Sequence, residues 1–170
     1  MTALIAYYTR EGENYWNGSI RKLTKGNTER VAEYIQQAVG GELFRIETVE
    51  PYPADYYDCC NVAKAEMQQD ARPAIKAYAE DLDACDTIFL GFPNWWGVAP
   101  MCVRTFLDHY DLAGKRIVPF CTNEGSGMGG SVRLLRKLYP AATIEDGLSI
   151  HGAEAEQSQA VVAAWAKSVL

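Results

Sequence analysis

The stretch TIFLGFPNWWGVAP, residues 87–100, decides the fold. Its first part, Thr87–Phe92, is a nearly continuous apolar run of strand length, which is typical of a strand buried on both faces in a parallel sheet. Trp95 and Trp96 follow closely, and consecutive residues point in different directions, so both cannot easily face a core. We therefore predict a loop that presents an aromatic face to a flat ring, or alternatively to a protein partner.

Strand-like and helix-like segments alternate along the chain. Strands are predicted over Leu4–Tyr8, Glu42–Thr48, Thr87–Phe92, Arg116–Cys121 and Thr143–Ile150, the last either continuous or broken. Helices are predicted over Asn27–Val39, over Cys59–Glu80 with an interruption at Pro73, and over Pro100–Tyr110, Gly130–Tyr139 and Glu154–Leu170. The alternation predicts an α/β fold: a single domain over residues 1–170, with a five-stranded parallel sheet and helices on both faces. In such a sheet, ligands bind beyond the carboxyl ends of the strands.

Composition narrows the class of protein. The 170 residues are 48% hydrophobic and carry a net charge of -6, and an acidic surface repels phosphate backbones, so nucleic acid is not an expected partner. The N-terminal apolar run, Met1–Tyr8, is too short to span a membrane and has no basic flank, so we expect a cytoplasmic protein without membrane insertion. Five cysteines without a C-x-x-C pair, and two histidines, predict neither a disulfide framework nor a metal site.

The first candidate loop lies between the first strand and the first helix. A helix start exposes unpaired N–H groups and the positive end of the helix dipole, which together suit a phosphate. Glycine lets the backbone approach closely, hydroxyl and amide side chains add donors, and a basic residue adds charge. The alternative is that Asn27 or Thr28 only caps the helix. The candidate residues are Thr9, Arg10, Lys25, Gly26, Asn27 and Thr28.

Two further loops follow the third and fourth predicted strands. The candidate residues of the second loop are Pro93, Asn94, Trp95, Trp96 and Gly97. The third loop lies within Thr122–Gly130, where four glycines free backbone N–H groups that could bind the edge of a heterocycle, unless the run is only a flexible linker. Its candidate residues are Thr122, Asn123, Glu124, Gly125, Ser126 and Gly127.

In this order, the three loops resemble those of flavodoxin-like FMN-binding proteins over essentially the whole chain. Thr9-Arg10 matches the start of the family's phosphate loop and Gly26-Asn27-Thr28 its end, with Glu11–Thr24 inserted and Lys25 in place of the usual hydroxyl residue. Trp96-Gly97 resembles the loop whose aromatic ring covers one flavin face, so Trp96 is the favoured stacking residue. The third loop resembles the family's pyrimidine-edge loop but has no aromatic residue.

The resemblance implies a flavodoxin-like doubly wound sheet of strand order 2-1-3-4-5 and one FMN, bound non-covalently and used for low-potential electron transfer. No side chain is then needed as a catalytic group. One alternative is an FMN-dependent NAD(P)H:quinone-type oxidoreductase, favoured by the open second flavin face and by Tyr15 and Trp16 in the insertion. Another is a non-redox binding module that has lost the cofactor.

The partner implied is a redox protein or a small acceptor such as a quinone, and the protein itself is expected to be a monomer or a homodimer. The inserted segment, Glu11–Thr24, is too long for an ordinary strand–helix connection. We expect it to be a mobile flap over the cofactor or an element that docks a partner. A passive surface excursion is the alternative.

Overall fold

The computed structural model describes residues 3–170, so the first two residues of the predicted 1–170 domain and of the Met1–Tyr8 run lie outside it. The strands are β1 Ala3–Tyr7, β2 Gly12–Trp16, β3 Ser19–Leu23, β4 Glu42–Arg45, β5 Thr87–Pro93, β6 Arg116–Asn123, β7 Thr143–Ile144 and β8 Leu148–His151. The helices are α1 Asn27–Val39, α2 Tyr56–Gln68, α3 Met101–Asp108, α4 Ser131–Leu138 and α5 Gln159–Ser168. Two 3-10 segments cover Leu82–Ala84 and Gly152–Gln157.

The main sheet is parallel and has the order β4-β1-β5-β6-β7, with β8 also paired to β6. Counting only the strands of this sheet along the chain, the order is 2-1-3-4-5, which confirms the predicted flavodoxin-like topology. The first half of the stretch TIFLGFPNWWGVAP forms β5, which lies between β1 and β6. The carboxyl ends of β1, β5 and β6 therefore meet at one edge of the sheet.

Apolar layers cover both faces of the sheet, as predicted. In β5, Ile88 and Leu90 face a core that includes α3 and α4, whereas Phe89 faces a second core that includes α1 and α5. This alternation follows from the two-residue period of a strand. All three side chains are fully buried, so this part of β5 has no solvent-facing side.

The second predicted helix is the largest error in the sequence-based assignment. Helix α2 begins earlier, because Asp55 accepts the N–H of Asp58 at 2.9 Å, and it ends at Gln68 rather than near Glu80. Pro73 disfavours helical backbone in the residue before it. Beyond the helix, Ile75 instead forms an antiparallel bridge with Thr48, the residue at which the second predicted strand was expected to end.

The C-terminal elements are shorter than predicted. The predicted strand Thr143–Ile150 is broken into β7 and β8, and Gly147 between them has φ 80°. The predicted helix Glu154–Leu170 is a 3-10 segment followed by α5. Ser158 lies between the two helical segments, and its hydroxyl donates to the Ala155 carbonyl at 2.7 Å. Strand β4 ends at Arg45, three residues before the predicted Thr48, and the remaining ends agree with the sequence-based bounds or differ by one or two residues.

The inserted segment is an antiparallel hairpin, β2–β3, in which Trp16 pairs with Ser19. Asn17 and Gly18 form the turn with φ of 48° and 90°, both positive as a type I′ turn requires. Asn-Gly is the strongest local hairpin signal, but no strands were predicted in the inserted segment. The guanidinium of Arg21 lies 4.5 Å from the centre of the Trp16 ring, so the hairpin carries its own exposed cation–π contact.

Neither a membrane span nor a metal cluster is found in the part of the chain that the structure describes. None of the helices within residues 3–170 is long and apolar enough to cross a bilayer. The same residues contain no group of three His, Cys, Asp or Glu side chains that could hold a metal ion. The five cysteines, at 59, 60, 85, 102 and 121, are free.

The contact between β5 and β6 requires glycine at position 91. Gly91 is paired with Phe120, and a Cβ at this glycine would overlap the Phe120 ring. We expect Gly91→Ala to lower the free energy of unfolding by about 1–3 kcal/mol, the usual cost of overpacking a core. Urea denaturation measures this change.

The matched control is Gly130→Ala. Gly130 has φ -91°, and the nearest atom to an added Cβ is 3.6 Å away, so we expect almost no change in stability. Equal losses in the two variants would show that the Phe120 contact does not determine the effect.

Candidate functional site

A cleft of about 310 Å³ lies at the carboxyl edge of the sheet, where the three candidate loops meet. Ten predicted residues line it: Arg10, Asn27, Thr28, Pro93, Asn94, Trp95, Thr122, Asn123, Glu124 and Ser126. Four other residues complete its walls: Asn14, Tyr15, Tyr56 and Gly152. The three loops therefore form one cavity, as their positions after neighbouring strands led us to expect.

The start of α1 offers free backbone donors. The N–H of Glu29 is accepted by Thr9 Oγ1 at 3.2 Å, but within residues 3–170 no acceptor is seen for the N–H groups of Asn27 and Thr28. A Cβ at the buried Gly26 would overlap Thr9 Oγ1, so only glycine allows this close packing. Two free N–H groups at the positive end of a helix dipole suit a phosphate.

Thr28 joins α1 to β6. Its side chain is buried, and its Oγ1 lies 2.8 Å from Oγ1 of Thr122. One hydroxyl proton of the pair is used between the two oxygens, so the other remains available to a ligand acceptor. Thr28 is therefore a structural link between α1 and β6, and one of the two hydroxyl groups can donate to a ligand in the cleft.

The wall opposite Asn27 is formed by Gly152, at the end of β8. A Cβ there would lie 2.7 Å from Asn27 Nδ2 and 2.8 Å from Glu124 Oε1, so a larger residue would push these side chains into the cleft. The Asn27 amide has no hydrogen-bond partner among the described residues, which leaves its donors and acceptor for a ligand. Gly152 was not predicted, because its role depends on side chains far away in sequence.

Asn94 ties the second loop to the third. Its Nδ2 donates to Ser126 Oγ at 3.1 Å and to the Gly127 carbonyl at 3.0 Å, while its Oδ1 accepts the N–H of Gly97 at 2.9 Å. Trp96 and Gly97, with φ of 57° and 88°, are the central residues of a tight turn closed between Trp95 and Val98. The second loop is thus held in one shape from both sides.

The two tryptophans of this turn have different surroundings. Trp95 is half-buried, packs edge-on against Tyr8 and Tyr52 with ring centres 5.2 and 5.0 Å away, and lines the cleft. Trp96 is 49% exposed, and its Nε1 donates to the Cys60 carbonyl at 3.0 Å. Trp96 lines an adjoining smaller cleft rather than this one, so the preference for Trp96 as the stacking residue stays a prediction.

The third loop uses some of its backbone donors internally. Asn123 Oδ1 accepts the N–H groups of Gly125 and Gly127, each at 3.0 Å, so these two donors are not free for a ligand. Glu124 Oε2 accepts the N–H of Asn17 at 3.1 Å and lies 3.1 Å from Nε2 of His151. Through Glu124, the tip of the hairpin is attached to the far side of the cleft.

The two predicted basic residues have different roles. The Lys25 ammonium is 2.8 Å from the Glu33 carboxylate and does not line the cleft, so its charge is already partnered. Arg10 does line the cleft, and its guanidinium donates to the carbonyls of Glu13, Pro53 and Ala54 at 2.9, 2.9 and 3.1 Å. Among the predicted residues that do not line it, Thr9, Gly26, Gly97, Gly125 and Gly127 shape the loops instead.

The hairpin and α2 supply cleft residues that loop analysis missed. Tyr15 of the hairpin packs against Tyr56 at the start of α2, with ring centres 5.6 Å apart. Asn14 is fixed by donating to the carbonyls of Arg10 and Gly12 at 3.0 and 3.2 Å. A hairpin assignment from Asn17-Gly18 would have predicted that this segment folds, but not that it reaches Tyr56.

Four titratable side chains near the cleft, two cysteines and two tyrosines, are neutral at physiological pH. Burial raises the pKa of Cys59 to about 11 and that of Cys121 to about 12, so both are thiols rather than thiolates. Burial likewise raises the pKa of Tyr8 and of Tyr52 well above the usual value, and both rings around Trp95 remain uncharged. These side chains can pack against a ligand, but none of the four is an activated nucleophile.

This combination of an anion-binding helix start and an aromatic loop on a doubly wound sheet defines a nucleotide-binding α/β protein. The sequence profile of the Flavodoxin family matches residues 22–169. The chain therefore belongs to the flavodoxin family, which confirms the resemblance seen in the sequence. No protein with a curated description matches it.

Solved structures agree with this assignment. A candidate flavoprotein from Bacteroides eggerthii DSM 20697 has 31% identity and a TM-score of 0.79, with 99% of this chain and 97% of that chain covered. A flavoprotein from Lactobacillus acidophilus NCFM, crystallised in complex with FMN, has 23% identity and a TM-score of 0.66, over 92% and 97% of the two chains. Oxidised flavodoxin 2 from Bacillus cereus has 19% identity and a TM-score of 0.54, with both chains fully covered. Membership of the flavodoxin family supports FMN as the cofactor.

Removing the Thr28 hydroxyl tests the phosphate end of the cleft. A hydrogen bond to a charged group contributes roughly 1.5–3 kcal/mol, so we expect Thr28→Ala to weaken FMN binding about 10- to 100-fold. Riboflavin, which lacks the phosphate, should lose much less. Fluorescence titration of the apoprotein measures both affinities.

Thr28→Ser and Lys25→Met are the matched controls for this variant. The first keeps the hydroxyl and should bind FMN nearly normally, while the second removes a charge already paired with Glu33 and should have little effect. An equal loss for riboflavin and FMN in Thr28→Ala would show that Thr28 acts only through its contact with Thr122.

Proposed function

We propose that the chain binds one FMN non-covalently in the cleft of about 310 Å³ and works as a low-potential electron carrier. The observation that carries the proposal is the pairing of two kinds of surface in one cavity. Free N–H groups at the start of α1 suit a phosphate, and the half-buried Trp95 on the second loop suits a flat ring. FMN has both parts.

When bound, FMN supplies the redox chemistry, and the protein supplies position and electric field. The N–H groups of Asn27 and Thr28 would hold the phosphate, and the polar atoms of the third loop would face the polar edge of the ring. The carboxylate of Glu124 lines the same cleft, and the chain carries a net charge of -6. Negative charge nearby disfavours further negative charge on a reduced ring, which lowers its potential.

FMN fits this chain better than FAD does. A dinucleotide needs a pyrophosphate site, for which a G-x-G-x-x-G turn before a helix is the usual arrangement. The turn before α1 has Gly26 alone, and its free donors, on Asn27 and Thr28, suit a single phosphate. We expect heat-released cofactor to run with FMN on chromatography, and FAD as the only flavin recovered would refute this assignment.

A second function, an FMN-dependent NAD(P)H:quinone-type oxidoreductase, is favoured by one observation. A smaller cleft of about 240 Å³ adjoins the first and shares five lining residues with it: Arg10, Asn14, Tyr56, Asn94 and Trp95. An electron carrier needs no second cleft, whereas an enzyme with a small acceptor does. The carrier remains our first choice, because no residue specific for a nicotinamide is apparent.

The remaining expectations on partners follow from the same proposal. A carrier would exchange electrons in the cytoplasm with a redox protein that presents a basic surface, since the chain itself is acidic. An oxidoreductase would use a small acceptor such as a quinone. A colourless purified protein that takes up no FMN would instead favour a binding module without redox function.

Photoreduction of the holoprotein separates the carrier from the oxidoreductase. A carrier should accumulate its one-electron-reduced form at high yield and oxidise NADPH negligibly. An oxidoreductase should pass directly to the two-electron-reduced form and turn over NADPH rapidly in the presence of a quinone. The absorption spectrum during illumination and the loss of absorbance at 340 nm report the two outcomes.

A further inference from the structure

The smaller cleft has four lining residues that do not line the first cleft. They are Cys59, Cys60 and Ala63 on one face of α2, and Trp96 on the second loop. Helix α2 contributes these residues at helical spacing, so they form one continuous surface. The first cleft is lined by the start of α1, where the phosphate would bind, and by the third loop. The smaller cleft is lined by Trp95 and by residues of α2.

The shape of this smaller cleft suits a planar aromatic molecule. Trp96 is held in place by its hydrogen bond to the Cys60 carbonyl, and Tyr56 is half-buried. Ala63 is buried and small, and it lines the same cleft as the two aromatic side chains. Aromatic and small apolar walls favour a flat, largely apolar ring.

Arg10 adds a fixed positive charge to this cleft. Its Nε donates to the Glu13 carbonyl, and its Nη2 donates to the carbonyls of Pro53 and Ala54. These bonds use three of the five N–H donors of a guanidinium. Within residues 3–170 no acceptor is found for Nη1, and Arg10 forms no ion pair.

The neighbouring carboxylates are occupied elsewhere. Glu11 binds Arg45 at 2.7 Å, and Glu13 Oε1 accepts the N–H of Tyr56 at 3.4 Å. Arg10 is thus oriented by neutral carbonyl groups, and its charge is not cancelled by an ion pair. In a chain of net charge -6, an unpaired and immobilised guanidinium beside aromatic walls is a site for an anion.

We propose that the smaller cleft binds a planar aromatic electron acceptor that carries a carboxylate or sulfonate group, with Arg10 Nη1 as the partner of that group. The proposal rests on FMN binding in the first cleft and on the second function proposed above, the FMN-dependent oxidoreductase. For a quinone acceptor, the reduced flavin passes two electrons and two protons to the quinone, which becomes the hydroquinone while the flavin returns to its oxidised form. An anionic quinone is the class of acceptor that this arrangement selects.

Two naphthoquinones test the proposal by equilibrium dialysis against the oxidised holoprotein. One is 1,4-naphthoquinone-2-sulfonate, and the other is the neutral parent 1,4-naphthoquinone. We expect the sulfonate to bind the native protein at least 10-fold more tightly. Arg10→Met should remove about 10- to 100-fold of affinity for the sulfonate, the loss expected for one hydrogen bond to a charged group, and leave the neutral quinone unchanged.

Two further variants separate charge from stacking. Arg30→Met removes an arginine of α1 that lines neither cleft, and it should leave both affinities unchanged. Trp96→Ala removes an aromatic wall and should weaken both quinones to the same extent. Single-turnover oxidation of dithionite-reduced holoprotein by each quinone should follow the same order as binding.

Each other outcome has a definite meaning. Equal affinity of the two quinones, or an equal loss of both in Arg10→Met, overturns the proposal. Loss of FMN in Arg10→Met with the sulfonate preference retained would assign Arg10 to the cofactor and also overturn it. Binding of the sulfonate to apoprotein but not to holoprotein would mean that FMN itself fills the smaller cleft, which refutes the acceptor site and leaves the proposed FMN binding intact. Failure of FMN to bind at all refutes the proposed function instead.

Discussion

The parallel pairing of β5 with β6 is the constraint on which the site depends. It runs in register from Thr87 opposite Arg116 to Pro93 opposite Thr122, and it continues past the strand end, where the N–H of Asn94 donates to the Thr122 carbonyl at 2.9 Å. This register brings the Asn94 amide within reach of the third loop. A shift of one residue would turn Asn94 to the other face of the sheet, and the two loops would lose their connection.

The inserted hairpin is a wall of the cleft rather than an appendage. Its base is attached to β4 by the ion pair between Glu11 and Arg45, and its tip is attached to the third loop by the Asn17 N–H bonded to Glu124. An exposed ion pair contributes little stability alone. Contacts at both ends, however, fix the orientation of the hairpin, and this orientation places Asn14 and Tyr15 in the cleft.

The strands and the three loops could be predicted because their signals are local, whereas the sheet order 2-1-3-4-5 was implied by the family resemblance. An apolar run such as Thr87–Phe92, with turn residues after it, is visible in a short window of sequence. The link between Thr28 and Thr122 spans 94 positions, and the contact between Asn17 and Glu124 spans 107, so neither has a local signal. Lys25 was a candidate for added positive charge at the phosphate loop, and its contact with Glu33 forms only when the segment before α1 folds back onto the helix.

The charges around the two clefts are arranged asymmetrically. Arg45 interacts with Glu11 at 2.7 Å and lies within 4 Å of Glu29 and Glu47, so these three carboxylates have a cationic partner other than Arg10. In the third loop, the Glu124 carboxylate contacts Asn17 and His151. A ligand that spans the space between Arg10 and Glu124 experiences a field of fixed direction. The immobile side-chain charges can therefore orient a charged ligand in the cleft.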